Sequence, residues 1–284
     1  MARTIIMADS TVDLPRSMLD DYGIIIIPLY VTLDGASLQD GVNITPEDMY
    51  AYIAKTNKIP KTSAATIVDF TTAFEPHIAA GNEIVYIGIS EKISATVTQA
   101  QIAAKELSAQ RIHVVDGRSL STGTALSVLK ASELAREGKS AAEIESRLME
   151  FIPRVRTSFV LDTLTYLYYG GRCSAIQTVG AKLLKIKPRI DMIDGEMSPT
   201  EKYRGSISHA ARQYTLSILK NVDRIDPERA FITYTQGTDA SIIAAVREEV
   251  ERVNHFKEII ETVAGCVITN HCGRDTIGLL YLER

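Results

Sequence analysis

The sequence is poor in cysteine, and what it has is not in ligand spacing. Cys173, Cys266 and Cys272 are odd in number and widely spread, with neither a CxxC nor a Cys/His pattern. That excludes a disulfide framework, gives a structural zinc site no support and points to a reducing compartment. An excess of charge of one sign is missing too: 35 acidic against 31 basic residues leave a formal net charge of −4. Such a balance exerts no long-range pull on a phosphate backbone, so nucleic acid is not an expected partner. No apolar run is long enough for a bilayer, since Ile24 to Ile27 is cut at once by Pro28. Without a signal peptide or a lipidation motif, a cytoplasmic protein with no stable membrane insertion is expected.

Nucleotide motifs are absent as well. There is no GxGxxG and no GxxxxGK[ST], the patterns that let backbone approach phosphates closely. Gly88-Ile89-Ser90-Glu91-Lys92 lacks the closing glycine of a nucleophile elbow. No histidine stands at helical ligand spacing from another, so no metal and no cofactor are expected.

What is present suits a two-domain α/β chain. At 284 residues, with 45% hydrophobic and 23% charged side chains, there is material for a sizeable core and length enough to split it. The first half alternates short β-branched runs (Thr4 to Ala8, Ile24 to Tyr30, Glu83 to Ile89, Ile112 to Val115) with amphipathic stretches near 46–55, 67–80, 95–107, 121–136 and 141–151. This rhythm predicts a parallel sheet with crossover helices. The pattern breaks at Pro153-Arg154-Val155-Arg156, giving an N-terminal α/β domain over 1–153 and a C-terminal domain over 154–284. In the latter, runs at 186–193 and 196–202 flank Asp194-Gly195, a strong hairpin signal. Helical patterns at 207–221 and 240–253 and strand patterns at 231–235, 258–263 and 276–282 complete a mixed-sheet α+β module covered on one face.

In an open parallel sheet, ligands bind beyond the carboxyl ends of the strands. The loops expected there are rich in hydroxyls: Asp9-Ser10-Thr11, Lys61-Thr62-Ser63, Ser90 to Thr96 and Asp116-Gly117-Arg118-Ser119. Helix N-termini following them favour an anion, although each also reads as an ordinary N-cap. His271 is expected in a short polar turn between two apolar strands. The basic stretch Lys182, Lys185, Lys187, Arg189 reads as a solvated face or a docking surface, and Tyr166, Tyr168 and Tyr169 as packing beside Gly170-Gly171-Arg172.

Taken together, several islands resemble the DegV family of bacterial fatty-acid-binding proteins. They are Asp9-Ser10-Thr11-Val12-Asp13-Leu14-Pro15, Lys61-Thr62-Ser63, Ile89-Ser90 with Ile93-Ser94-Ala95-Thr96, and Val115 to Ser119. The second half adds Leu161 to Leu167 followed by Gly170-Gly171-Arg172, Leu184 to Pro188, Lys202-Tyr203-Arg204-Gly205, and His271-Cys272-Gly273 with Thr276-Ile277-Gly278. Their order and spacing cover nearly the whole chain. The resemblance implies a lipid site between two α/β domains, the carboxylate of a long-chain fatty acid such as palmitate held by Thr62, Ser94, the Ala95 N–H and His271. It further implies presentation of that acid to a separate ATP-dependent fatty acid kinase, with Arg172 and Arg204 on the partner-facing surface or in the outer part of the site. On that reading the chain is a lipid-binding subunit rather than a catalyst. Two other readings stand beside it: a kinase or transferase subunit holding a small carbonyl substrate through His271, or a lipid-responsive interaction module docking through the Lys182 to Arg189 face. The chain departs from the family's pattern at Ala64-Ala65, Glu91, Ala95 and Arg274-Asp275. An inward Glu91 or Asp275 would repel a carboxylate.

Overall fold

The computed structural model describes residues 3–173 and 186–284. Strands β1 (Thr4–Asp9), β2 (Ile24–Ile27), β6 (Glu83–Gly88) and β7 (Ile112–Asp116) form a wholly parallel sheet in the order β2-β1-β6-β7. The single strand expected over Ile24 to Tyr30 is in fact two. Pro28 cannot donate to a ladder, and beyond it β3 (Tyr30–Leu33) leaves to pair antiparallel with β4 (Ala36–Gln39) and β5 (Lys61–Ser63). The stretch Lys61-Thr62-Ser63, expected as a loop, is thereby held as an edge strand.

The helices of this half start where the sequence signals them. Thr45, Thr66 and Ser140 each close a reciprocal capping box, with Asp48, Asp69 and Glu143, opening α2 (Pro46–Thr56), α3 (Ile67–Ala79) and α6 (Ala141–Phe151). Helix α1 (Arg16–Tyr22) follows the first strand, α4 (Thr96–Ser108) follows β6, and α5 (Ser121–Arg136) follows β7. Most of α5 is buried, and its first turn is built of small residues because a second sheet lies against it. A Cβ added to Gly123 would stand 1.8 Å from the Thr157 Oγ1, so only glycine permits this approach.

That second sheet has the order β10-β9-β8-β13-β11-β12. Its strands are β8 (Val155–Val160), β9 (Lys187–Ile193), β10 (Glu196–Tyr203), β11 (Ile225–Thr235), β12 (Glu258–Ala264) and β13 (Ile277–Glu283), antiparallel except for β11 against β12. The Asp194-Gly195 turn joins β9 to β10 as expected. We place the division between the halves at the 3-10 turn Ile152–Arg154, immediately before β8.

Period-two alternation sends Val160, Ile232 and Leu279 to one face, against α8 (Ile207–Leu219) and α9 (Ala240–Arg252). The expectation that only one face is covered is corrected here. Phe231 and Leu280 point the other way, into a core shared with Val128 and Leu129 of α5, and Phe159, Ile190 and Met197 join a further cluster with Ile89 and Leu120. At roughly 1.5–3 kcal/mol per large apolar side chain buried, this second face binds the halves firmly. Hydroxyls bridge them too, through Thr122 to Thr233 at 2.6 Å and Ser119 to Thr157 at 2.7 Å.

Candidate functional site

His271 does not sit in a turn. Residues Cys266–Cys272 form a short helix, α10, largely buried. Its first N–H groups find acceptors in buried carboxylates of the other half: Gly265 N–H donates to Asp13 at 2.8 Å, and Cys266 and Val267 N–H donate to Asp40 at 2.8 and 3.3 Å. Toward its end the Asn270 amide donates to the Pro60 carbonyl at 3.0 Å, one residue before β5. Gly273, at φ 76°, stops the helix, and its N–H donates to the Thr269 carbonyl. Strand periodicity could not find α10, because seven residues are too few for a helical pattern to stand out from an apolar run.

This frame brings Thr62 and His271 into direct contact, with Oγ1 and Nε2 2.8 Å apart. The imidazole is neutral: burial first, and the nearby positive charge of Arg172 second, push its pKa down to about 4. Nδ1 is buried with no hydrogen-bond partner among the described residues. A buried N–H without an acceptor is rarer and costlier than an unpaired lone pair, which places the proton on Nε2, donated to the Thr62 oxygen. The Thr62 O–H then has no acceptor among the described residues. Gly170, the last residue of α7 (Thr165–Gly170), backs the ring so closely that a Cβ there would come within 2.1 Å of Nδ1.

Thr62 and His271 line a pocket with about 530 Å³ of space between atoms, open solvent included. Ser94 lines it as well, its hydroxyl accepting the Thr96 N–H at 3.3 Å and sharing a proton with the Thr96 hydroxyl at 2.7 Å. The remaining wall is largely apolar, with Leu29, Ile89, Ile93, Leu120, Met197 and Ile268, and Arg172 is its one charged side chain among the described residues. Leu120, Ile268 and Cys272 also line a second pocket between the halves, with about 320 Å³ of space between atoms, open solvent included, walled by Phe159 and Leu280 and by hydroxyl residues such as Ser121, Ser158 and Thr233. The shared residues make the two pockets neighbours. On the opposite side Thr62, Arg172 and His271 also line a broad outer cleft with Lys61, Tyr166 and Tyr169. Thr62, Arg172 and His271 thus face both the pocket and the cleft.

Ala95, which precedes α4, has φ −78° and ψ 2°, a backbone that needs no glycine. Arg172 donates to the Gly170 carbonyl at 2.6 Å, which holds it at the mouth. Arg204 is exposed at the end of β10 and lines neither cavity. Among the departures, Ala64 lines the cavity and Ala65 packs in the core. The acidic ones face elsewhere: Glu91 is exposed, and Asp275 accepts the Asp239 N–H at 3.0 Å. Arg274 lies over the Tyr50 ring, 4.1 Å from its centroid. Of the basic stretch, Lys187 pairs with Asp162 at 2.6 Å and Arg189 with Asp191 at 2.7 Å, and both side chains are mostly buried. Lys182, Lys185 and Leu184 lie outside the described residues. No helix among the described residues is long and apolar enough to cross a membrane.

Fold and site together define an α/β protein of two main sheets and a small antiparallel third, with a largely apolar pocket that carries a neutral hydrogen-bonding pair. The chain belongs to the DegV family: the family model described as "Uncharacterised protein, DegV family COG1307" matches residues 3–284. A DegV domain-containing protein of Caldanaerobacter subterraneus is 35% identical over the whole of both chains, and one of Clostridium acetobutylicum is 31% identical, again over both full lengths. Among solved structures, the fold is similar to a fatty-acid-binding DegV family protein from Thermus thermophilus, with a TM-score of 0.89, 29% identity and coverage of 99% and 100% of the two chains. It is similar also to DegV, a fatty acid binding protein from Bacillus subtilis, with a TM-score of 0.87 and 25% identity over 100% of both.

Proposed function

We propose that this protein binds a long-chain fatty acid, with the carboxylate at Thr62, Ser94, the Ala95 N–H and His271 and the acyl chain in the largely apolar pocket, and presents it to a separate ATP-dependent kinase. The observation that carries the reading is the Thr62–His271 pair, neutral, with the Thr62 O–H left to donate, lining both the largely apolar pocket and the outer cleft. An ionised carboxylate leaves water only if donors replace its hydration. The Thr62 and Ser94 hydroxyls and the Ala95 N–H do so without a buried countercharge, with His271 orienting the Thr62 O–H toward the acid, and Arg172 at the mouth adds a favourable field.

The tail supplies most of the affinity. At about 0.8 kcal/mol per buried CH₂, a long acyl chain contributes on the order of 10 kcal/mol before the costs of association. Support comes also from the relatives of at least 25% identity described as fatty acid binding. The presentation step rests on the outer cleft, which leaves the head group open to a partner while the tail stays sheltered. Phosphoryl transfer would fall to that partner, since the sequence carries no phosphate-cradling motif.

Titration of the purified, delipidated protein with palmitate tests the reading through thermal unfolding. Ligand at one hundred times its Kd should raise stability by about 2.7 kcal/mol. The double variant Thr62→Ala, Ser94→Ala should lose most of that gain. No rise with either palmitate or oleate removes the proposal.

A further inference from the structure

The head-group histidine stands on a helix too short to hold itself. Seven residues make barely two turns, and isolated helices under about 12 residues are marginal in water. The position of α10 must therefore come from what grips its ends. Its start is gripped by two side chains of the other half, Asp13 after β1 and Asp40 after β4.

Both carboxylates are nearly inaccessible, at 6% and 4% exposed. Ionised groups so placed are costly unless several donors meet them. Here the donors are three consecutive N–H groups at the start of α10, the Ser121 hydroxyl on Asp13 and the Ser10 hydroxyl on Asp40. Asp13 and Ser121 each take a left-handed backbone, with φ 53° and 51°. Two non-glycine residues in that region cost free energy and persist only where the surroundings over-determine them. Gly265 fits between the two carboxylates, and a Cβ there would come 3.2 Å from an Asp40 oxygen and 3.4 Å from one of Asp13.

We infer that Asp13 and Asp40 are positioning residues for His271: by fixing the start of α10 they set the register that brings Nε2 to Thr62 at the other end. The inference rests on the fatty-acid reading of the site. It assigns the two buried carboxylates no contact with ligand and makes the head-group geometry depend on both halves of the chain.

The test separates head group from tail by comparing palmitate with hexadecanol, which offers the same chain and no carboxylate. Wild type should prefer palmitate, and Thr62→Ala should erase much of that preference. Asp40→Asn, similar in shape but with an amide N–H₂ facing donors, should weaken palmitate roughly tenfold, the scale of lost support for a ligating side chain. Hexadecanol binding should move less than about twofold. Ser10→Ala leaves both carboxylates in place and removes one donor from Asp40, together with the acceptor of the Leu29 N–H, whose loss would touch both ligands alike, so it should show the same split on a smaller scale even where Asp40→Asn does not fold. Equal losses for both ligands, or an unchanged ratio in Ser10→Ala and Asp40→Asn, overturn the positioning role while leaving the fatty-acid reading standing. A wild type that binds palmitate no better than hexadecanol sinks that reading, and the positioning role with it.

Discussion

The Thr62 hydroxyl and the His271 imidazole meet at 2.8 Å although 209 residues of chain separate them. One lies on an edge strand of the first half and the other on a short helix packed against it. Nothing local in either segment dictates the encounter. It depends on β5 pairing with β3, on α10 docking by its start, and on the amide of Asn270 reaching the Pro60 carbonyl. A polar pair assembled at such distance, in a pocket that is otherwise largely apolar, is the feature from which the following expectations derive.

Removing either member should weaken acid binding without unfolding the protein. A hydrogen bond to a charged group is worth about 1.5–3 kcal/mol. Thr62→Ala and His271→Ala should therefore each lower palmitate affinity by roughly ten- to a hundredfold, read by isothermal calorimetry. The double variant should lose less than the sum of the two, because the residues act as one unit.

His271 gives the stability a pH dependence of definite sign. Burial and Arg172 lower its pKa from 6.5 to about 4 in the folded state, so the unfolded chain takes up a proton first as pH falls. The full contribution is present above pH 6.5 and is lost as pH drops toward 4. Urea unfolding at pH 7 and pH 4.5 should show wild type losing about 2–3 kcal/mol more than His271→Asn.

Gly170→Ala should mimic the loss of His271. Its methyl group would occupy the space of Nδ1, so the ring must leave Thr62 or the α7 turn must shift. Overpacking of this kind costs about 1–3 kcal/mol. Chemical unfolding should register that cost, and palmitate titration a fall in affinity similar to that of His271→Ala.

Ile268 forms wall in both cavities and so stands beside the path of the tail. Ile268→Phe adds about three carbons and should displace about as many methylenes, near 2 kcal/mol or roughly thirtyfold in Kd for palmitate. Decanoate, which must pass the same side chain three residues from His271, should be weakened as well. Competition against a fluorescent fatty acid measures both.

Much of this was legible in the residues. The parallel first sheet announced itself through β-branched runs and capping residues at Thr45, Thr66 and Ser140, and the β9–β10 hairpin through Asp194-Gly195. Pro28 marked the end of β2, but the antiparallel trio beyond it has strands of three or four residues, too short for periodicity to register. Thr62, Ser94 and His271 could be named because they stand in family-like islands. The element carrying His271 could not, since α10 is only seven residues, apolar at its start and polar toward its end, too short for a helical period to show. Asp13 and Asp40 look like ordinary turn residues, and only burial against Gly265 to Val267 reveals their use. The outward direction of Glu91 and Asp275 is likewise a matter of backbone geometry that residue type does not encode.

The most direct measurement is of what the protein carries when purified without delipidation. Solvent extraction followed by mass spectrometry should yield a long-chain fatty acid in near-stoichiometric amount from wild type and far less from the Thr62→Ala, Ser94→Ala variant. Repeated preparations holding no acyl chain, together with no uptake of added palmitate, would contradict the assignment of this pocket to a fatty acid.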